Sequence, residues 1–320
     1  EWGLKPQGFN IKFLAPKGFV EEYEKVGVKV DKQLTISYSD LTAQDWAITF
    51  NFSLNEPEGI VIERALKAVR KRFGPNYTID DIIGGIEEDK RSEKAVKNKV
   101  INRFLAAEDW GIFEKKGTPV RSLFSPGTVS ILDVSHFTAT GRGWSVRGML
   151  VGLFARKIYH ERLIARKSEE FEVMGGDRGK TIPMVWIIVD EAHMFIPSEG
   201  STVASEPLLT LVKQGREPGI SLLFITQIPN KLHSDALAQS DLVISHRLTA
   251  EADLKSLRSI MQSYMMEDIE KYINTLPRQR GSAIILDDNS ERVYTIQIRP
   301  RFCWHAGGSP AAIKKEGLLE

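Results

Sequence analysis

Val185-Trp186-Ile187-Ile188-Val189-Asp190-Glu191 decides the fold: five apolar residues in a row end in two adjacent carboxylates. An apolar run of this length predicts a strand buried on both faces of a parallel sheet. Asp190 and Glu191 then lie at its carboxyl end, where open α/β sheets place their ligands. Two carboxylates at that position suit metal-assisted attack by water. Asp190 would hold a divalent cation, directly or through water. Glu191 would accept a proton from the attacking water, or orient it. The plainer alternative is a buried strand that merely meets acidic residues at its exit.

Working outward, the pattern alternates. Downstream come a helix over 208–214 with Pro207 in its first turn, a second buried strand over 220–226, a short helix over 234–239 and a strand over 241–248. Thr249 can cap a helix whose first turn holds Glu251 and whose stripe is Leu254, Leu257, Ile260 and Met261. Segments 280–286 and 292–298 predict a hairpin with Asp288-Asn289 at the turn. Upstream, 128–134 reads as a strand and Gly141-Arg142-Gly143 as a loop. A long helix over 145–167 and a polar loop over 171–180 follow. Strands separated by helices predict an α/β fold with a mainly parallel sheet.

Two earlier regions differ in character. Residues 1–53 mix loops with strand-like runs at 10–15 and 34–38, and 46–52 reads as a strand or the end of a short helix. Beyond them Pro57 opens a helix carrying Ile60, Ile62, Leu66 and Val69, which Gly74-Pro75 stops. A short helix over 80–88 follows, then one over 92–109 with Val96, Val100, Ile101, Phe104 and Leu105 on one face. The division expected is 1–54 as part of the core, 55–126 as a helical insertion, 127–300 as the remaining core and 301–320 as a tail.

Composition narrows the class. The 320 residues are 42% hydrophobic and 27% charged, with net charge +1, which argues against a wholly basic nucleic-acid coat. A single cysteine, Cys303, leaves no internal disulfide framework and fits a reducing, cytoplasmic compartment. No apolar run approaches membrane-spanning length. The opening Glu1-Trp2-Gly3 carries neither an initiator Met nor the start of a secretory leader, so the expectation is the later part of a longer protein.

The run ending in Asp190-Glu191 is similar to the Walker B motif of P-loop nucleotidases. Such proteins need a phosphate-binding loop, Gly-x-x-x-x-Gly-Lys-Ser/Thr, between a strand and a helix. The nearest echo is Gly175-Gly176-Asp177-Arg178-Gly179-Lys180-Thr181. It is one residue short, because Met174 stands where the first glycine belongs, and it leads into a strand. We read it as a loop only and expect the true phosphate loop upstream of Glu1.

Other residues carry two readings each. Thr226 and Gln227 end the second buried strand; either could hydrogen-bond a γ-phosphate or the attacking water, or simply be polar at a strand's exit. Arg216, in Gln214-Gly215-Arg216-Glu217-Pro218-Gly219, could be an arginine finger to a neighbouring subunit or a helix-end arginine meeting the last carbonyls. Arg142 and Arg147 could reach the phosphates, or be solvated or subunit-contact residues. A capping or turn role is expected of Asp133, and a structural hydrogen bond of His193. Basic residues on the helices of the insertion, Arg64 to Arg72 and Lys90 to Lys99, read first as solvated faces.

Val-Asp-Glu-Ala-His at 189–193, Gln-Gly-Arg at 214–216, Phe-Ile-Thr-Gln at 224–227, Ile-Arg-Pro-Arg at 298–301 and His-Ala-Gly-Gly at 305–308 occur in order. Together they resemble the HerA-type ATPases of the HerA–FtsK group of ring translocases. The resemblance implies a RecA/FtsK-like P-loop ATPase core, with ATP and Mg²⁺ as cofactors. It implies a homo-hexamer pumping double-stranded DNA, often beside a NurA-type nuclease in archaeal end resection. It maps Asp190 to metal, Glu191 to water activation, Gln227 to sensing and Arg216 to a finger acting in trans, with Thr226 and Arg142 as further nucleotide contacts. With the phosphate loop and the family's N-terminal barrel missing, this portion alone is expected to be inactive. Two rivals stand: a secretion or conjugation ATPase of the same group, and a ring scaffold without turnover.

Overall fold

Three sheets carry the strands in the computed structural model, which describes residues 3–138, 143–176, 182–260, 272–273 and 275–303. The first sheet is parallel. Its central strand β1 (Ile11–Pro16) lies between β2 (Lys32–Leu34) and β3 (Val129–Leu132), with Leu14 opposite both Lys32 and Leu132. The second is also parallel: β4 (Val185–Val189) pairs with β5 (Ile220–Phe224), from Val185 opposite Ile220 to Val189 opposite Phe224. The third is antiparallel, β6 (Leu242–Ser245), β7 (Ser282–Asp287) and β8 (Arg292–Gln297) in that order.

Helix α1 (Val20–Lys25) follows β1, and α2 (Ala43–Phe50) follows β2. The segment 46–52, open between strand and helix in the sequence, is the end of a short helix through Phe50, which starts at the reciprocal capping box of Thr42 and Asp45 and stops at the left-handed Asn51. Three further helices lie before β3: α3 (Pro57–Phe73), α4 (Ile79–Glu87) and α5 (Lys94–Glu108). On α5 the buried residues are Val100, Phe104 and Ala107, a helical stripe. Leu105, expected on that face, is turned about 100° from Phe104 and is exposed. The strand expected over 34–38 is shorter. β2 stops at Leu34, Ile36 makes one bridge to Phe113, and Ser37 caps a turn that begins at Tyr38.

α6 (Gly143–Val173) leads from β3 to β4, which lie in different sheets, and α7 (Ser205–Gln214) is the crossover that the parallel β4–β5 pair needs. α6 outruns the expected helix and takes up the first residues of the loop expected over 171–180. Arg166 pairs with Glu170 at 3.2 Å, one turn on, and the first glycine beyond, Gly175, has a φ of 93° that suits a helix exit. α8 (Ser234–Ala238) and α9 (Glu251–Ile260) follow. No helix among the described residues is long and apolar enough to cross a membrane.

One apolar core runs from Leu14 to Ala236 and takes in helices α2 to α7. A smaller one joins Leu257 of α9 to Ile284 and Leu286 of β7. The β4–β5 sheet meets the main core with one face only. Val185, Ile187, Val189, Ile220, Leu222 and Phe224 point into it, whereas Trp186 is 72% and Ile188 59% exposed. The expectation of a strand buried on both faces therefore fails for the described residues. The strand alternates in burial, and α6 and α7 cover one side.

Candidate active site

The paired carboxyl ends of β4 and β5 bring five of the singled-out side chains together. Backbone pairing continues past both strands: Ile225 N–H donates to Val189 O and Ala192 N–H to Ile225 O, each at 2.9 Å. That ladder sets Asp190-Glu191 beside Thr226-Gln227. Glu191 sits in the left-handed region, φ 49°, ψ 45°, a costly conformation for a residue with a Cβ. Its carboxylate is held there: Gln227 Nε2 donates to Glu191 Oε1 at 2.9 Å, and His193 Nδ1 lies 3.5 Å from Oε2. His193 Nδ1 also bonds Thr226 Oγ1 at 2.9 Å, the structural bond expected of it. Asp190 is exposed, and its Oδ1 accepts from Glu191 N–H at 3.0 Å.

A second polar group stands across a cleft of about 1020 Å³ between β3 and β4. Asp133, Ser135 and Arg147 line it from one side, Asp190 and Glu191 from the other. Tyr23 Oη donates to Asp133 Oδ2 at 2.6 Å, and His136 Nδ1 bonds Tyr23 Oη at 2.8 Å while its Nε2 meets Glu22 at 3.1 Å. Burial pushes the Asp133 carboxyl up, but hydrogen bonds from Tyr23 and Ser135 outweigh it and hold the group below its ordinary value. Burial first, then the Asp133 bond, pushes the Tyr23 phenol up to about 12, against a weaker pull from Ser135. Asp133 thus fills the expected turn role, accepting from Ser135 N–H at 2.8 Å. The buried Arg147 donates to Val134 O at 3.0 Å and Ser135 O at 2.8 Å, bracing the chain after β3. Burial lowers its pKa against the attraction of Asp133. Sequence reading missed Tyr23 and His136, which lie 110 and 3 residues from Asp133; a Tyr on a short helix gives no signal of such a partner.

Arg216 is not part of this cluster. It precedes β5, whereas Glu191 follows β4, so the two lie at opposite ends of a parallel pair, roughly 15–20 Å apart along the strands. Its side chain is exposed and has no hydrogen bond or ion pair among the described residues. Arg142, Lys180 and the 305–308 motif lie outside the described residues.

A parallel α/β sheet with carboxylates at one strand's exit and polar side chains at its neighbour's is the fold of the P-loop ATPases. VirB4 of Thermoanaerobacter pseudethanolicus superposes with a TM-score of 0.53 at 14% identity, over 92% of this chain and 83% of its own. The bacterial conjugative coupling protein TrwBΔN70 gives 0.51 at 12%, over 92% and 80%. At such identities they share the fold alone.

Within that class the family is specific: residues 111–285 match the model "Helicase HerA-like C-terminal", and the chain belongs to that family. The DNA double-strand break repair helicase HerA of Pyrococcus furiosus is 26% identical over 160 residues, 45% of this chain and 29% of that protein. The probable HerA of Methanocaldococcus jannaschii is 33% identical over 102 residues, 32% and 20%. The HerA of Sulfolobus acidocaldarius is 23% identical over 235 residues, 72% and 44%. The chain spans less than half the length of each of these relatives.

Proposed function

We propose that this chain supplies the water-activating half of the nucleotide site of a HerA-like motor, in which ATP hydrolysis drives movement along double-stranded DNA. The observation that carries the reading is the Gln227–Glu191 bond beside Asp190, at the paired ends of β4 and β5. Glu191 takes a proton from the attacking water, and Gln227 and Thr226 orient that water or a phosphate oxygen. Arg216, at the far end of the sheet, serves the site of a neighbouring subunit, and Arg142 is a further phosphate contact.

The residues present fit Mg²⁺ as nucleotidases use it. Among the described residues no group of three or more His, Cys, Asp or Glu could hold a metal, so there is no all-protein cage. Asp190 offers one exposed carboxylate, and Mg²⁺ takes one or two carboxylates together with substrate phosphates and water. Bound there, the ion would neutralise charge on the phosphate oxygens.

Polypeptide outside these residues completes the unit in this reading. Parallel sheets are covered on both faces, yet Trp186, Ile188, Leu223 and Ile225 are bare, and the second edge of β5 has no partner among the described residues. A phosphate-loop strand and its helix would fill both, so residues 1–320 alone would be inactive. Residues 55–126 form a helical insertion in this reading. The whole protein is a cytoplasmic homo-hexamer working with a NurA-type nuclease.

The test is ATP turnover by the intact protein with and without blunt duplex DNA. Duplex should stimulate it. Glu191→Gln should cost about 10²–10⁴ in rate if the carboxylate is the base. Arg216→Ala should cost about 10³–10⁵ if it acts as a finger. Binding to duplex should weaken steeply with salt. Preference for single strands would favour a conjugation-type motor, and a folded ring without turnover would favour a scaffold.

A further inference from the structure

Arg162 is 1% exposed in the middle of α6, an unusual place for a guanidinium. Its Nε donates to Pro218 O at 2.6 Å, and its Nη1 donates to Ile182 O and, at 3.0 Å, to Glu169 Oε1. One side chain therefore grips the residues just ahead of β4 and just ahead of β5. A turn earlier on the same helix, Tyr159 Oη donates to Gln214 Oε1 at 2.8 Å. Gln214 and Pro218 bracket Arg216. The loop between them is closed by its own backbone, with Ile220 N–H on Gly215 O at 2.8 Å and Gly219 N–H on Arg216 O at 3.2 Å. At Gly219, φ 77°, a Cβ would come 3.2 Å from Arg162 Nη2 and 2.8 Å from Met184 Cγ, so the turn is seated on the guanidinium.

Stability does not require this arrangement. A buried ion pair is often matched or bettered by apolar residues of similar volume, so its retention asks for another cause. The fork geometry supplies one: a planar guanidinium meets the two carbonyls and the carboxylate from separate nitrogens held in a fixed fork, whereas a lysine ammonium would have to gather all three acceptors round one nitrogen. The result is a loop fixed at both ends, with an exposed arginine at its tip whose side chain makes no hydrogen bond or ion pair among the described residues.

We propose that Arg162, assisted by Tyr159, is a positioning residue that sets the aim of Arg216 toward the nucleotide of the adjoining subunit. This rests on the trans role assigned to Arg216 above. Arg162 touches neither nucleotide nor water; it acts through the 214–219 loop. Misplacing a charge by about 1 Å at a transition state can cost up to about 10²-fold, so the loop's seat matters as much as the arginine.

The experiment uses the full-length protein. In uniform assemblies Arg162→Lys should lower kcat for ATP about 10–100-fold with KM little changed, because the interaction lost is one made in the transition state. Tyr159→Phe, which removes one hydroxyl, should give a smaller loss of the same kind. The decisive readout is mixing. Arg162→Lys subunits combined with Glu191→Gln subunits should exceed the mean of the two uniform assemblies. At half of the mixed contacts an intact Glu191 meets a correctly held Arg216. The control is the same mixture made with Arg216→Ala. If the control complements and Arg162→Lys does not, Arg162 damages its own subunit and the proposal falls. If the control itself fails to complement, the trans reading of Arg216 falls and takes the proposal with it. Should Arg162→Lys not fold, Tyr159→Phe carries the test, and an unchanged kcat there overturns the role.

Discussion

Replacing Gln227 by Ala removes the amide that donates to Glu191 Oε1 at 2.9 Å. Hydrogen bonds to charged groups contribute about 1.5–3 kcal/mol net. The Glu191 side chain is 38% exposed, so water competes and the lower end applies. Its backbone gives no help, since the left-handed conformation costs about 1–2 kcal/mol against the ordinary helical one. A loss of about 1.5 kcal/mol in holding the carboxylate corresponds to a little over tenfold in rate. Steady-state ATP turnover of the intact protein reads this directly. Gln227→Ala should lower kcat about tenfold, with KM for ATP nearly unchanged. The double variant separates positioning from a general disturbance. Once Glu191→Gln has removed the charged acceptor, adding Gln227→Ala should cost under about threefold, since residues in direct contact are not additive. Full additivity would refute the positioning role, leaving Gln227 only a direct contact with water or phosphate. An unaltered kcat in the single variant would refute it too.

Asp45→Asn should destabilise the fold by about 3 kcal/mol, the lower end for breaking a buried pair: Asp45 is 5% exposed and takes both Arg156 nitrogens at 2.7 Å, but Arg156 itself is partly solvated. Urea unfolding would test this, and a change under about 0.5 kcal/mol would count against it. Tyr23 has a folded-state pKa of about 12 against 10.0 unfolded, so it contributes stability that is complete below pH 10 and is lost as pH rises through 12. Tyr23→Phe should therefore flatten the decline of unfolding free energy between those values, and an unchanged slope would exclude the effect. If outside polypeptide covers the bare sheet face, Trp186 should be shielded from iodide quenching in the intact protein. The comparison is with Trp186→Phe, and ready quenching of the difference signal would leave the face open.

What was legible depended on distance along the chain. The Val185–Val189 run announces its own strand, and 220–226 another, because each is local and dominated by apolar residues. Parallel pairing of successive βα units then brings Glu191 next to Gln227, so the centre of the site follows from pattern and topology together. The end of α6 was misjudged because Phe171 to Val173 looked like the start of a polar loop, while the pairing of Arg166 with Glu170 kept the helix going. The apolar run was read as buried on both faces, and its composition does ask for that; the described residues cover only one. Arg162 was invisible for a different reason. On the sequence it interrupts an apolar stripe like any solvated arginine, and its carbonyl partners lie 20 and 56 residues away. Nothing short of the fold brings them together.

The polarity of the β4–β5 pair carries a constraint that neither motif states alone. Carboxylates leave one end of the sheet and Arg216 the other, so a single copy does not bring its own arginine to its own Glu191. If Arg216 acts in trans as proposed, each subunit offers an arginine at one end and receives one at the other, which is head-to-tail by construction. Such contacts close into a ring or run on as a filament, and only closure leaves every site complete. The two ends also separate the two kinds of supporting residue. Gln227 and His193 serve the receiving end, where they hold Glu191. Arg162 and Tyr159 serve the offering end, where they hold the loop of Arg216. Variants drawn from different ends should therefore complement in mixed assemblies. Two variants drawn from the same end should not, since every contact would then carry a defect.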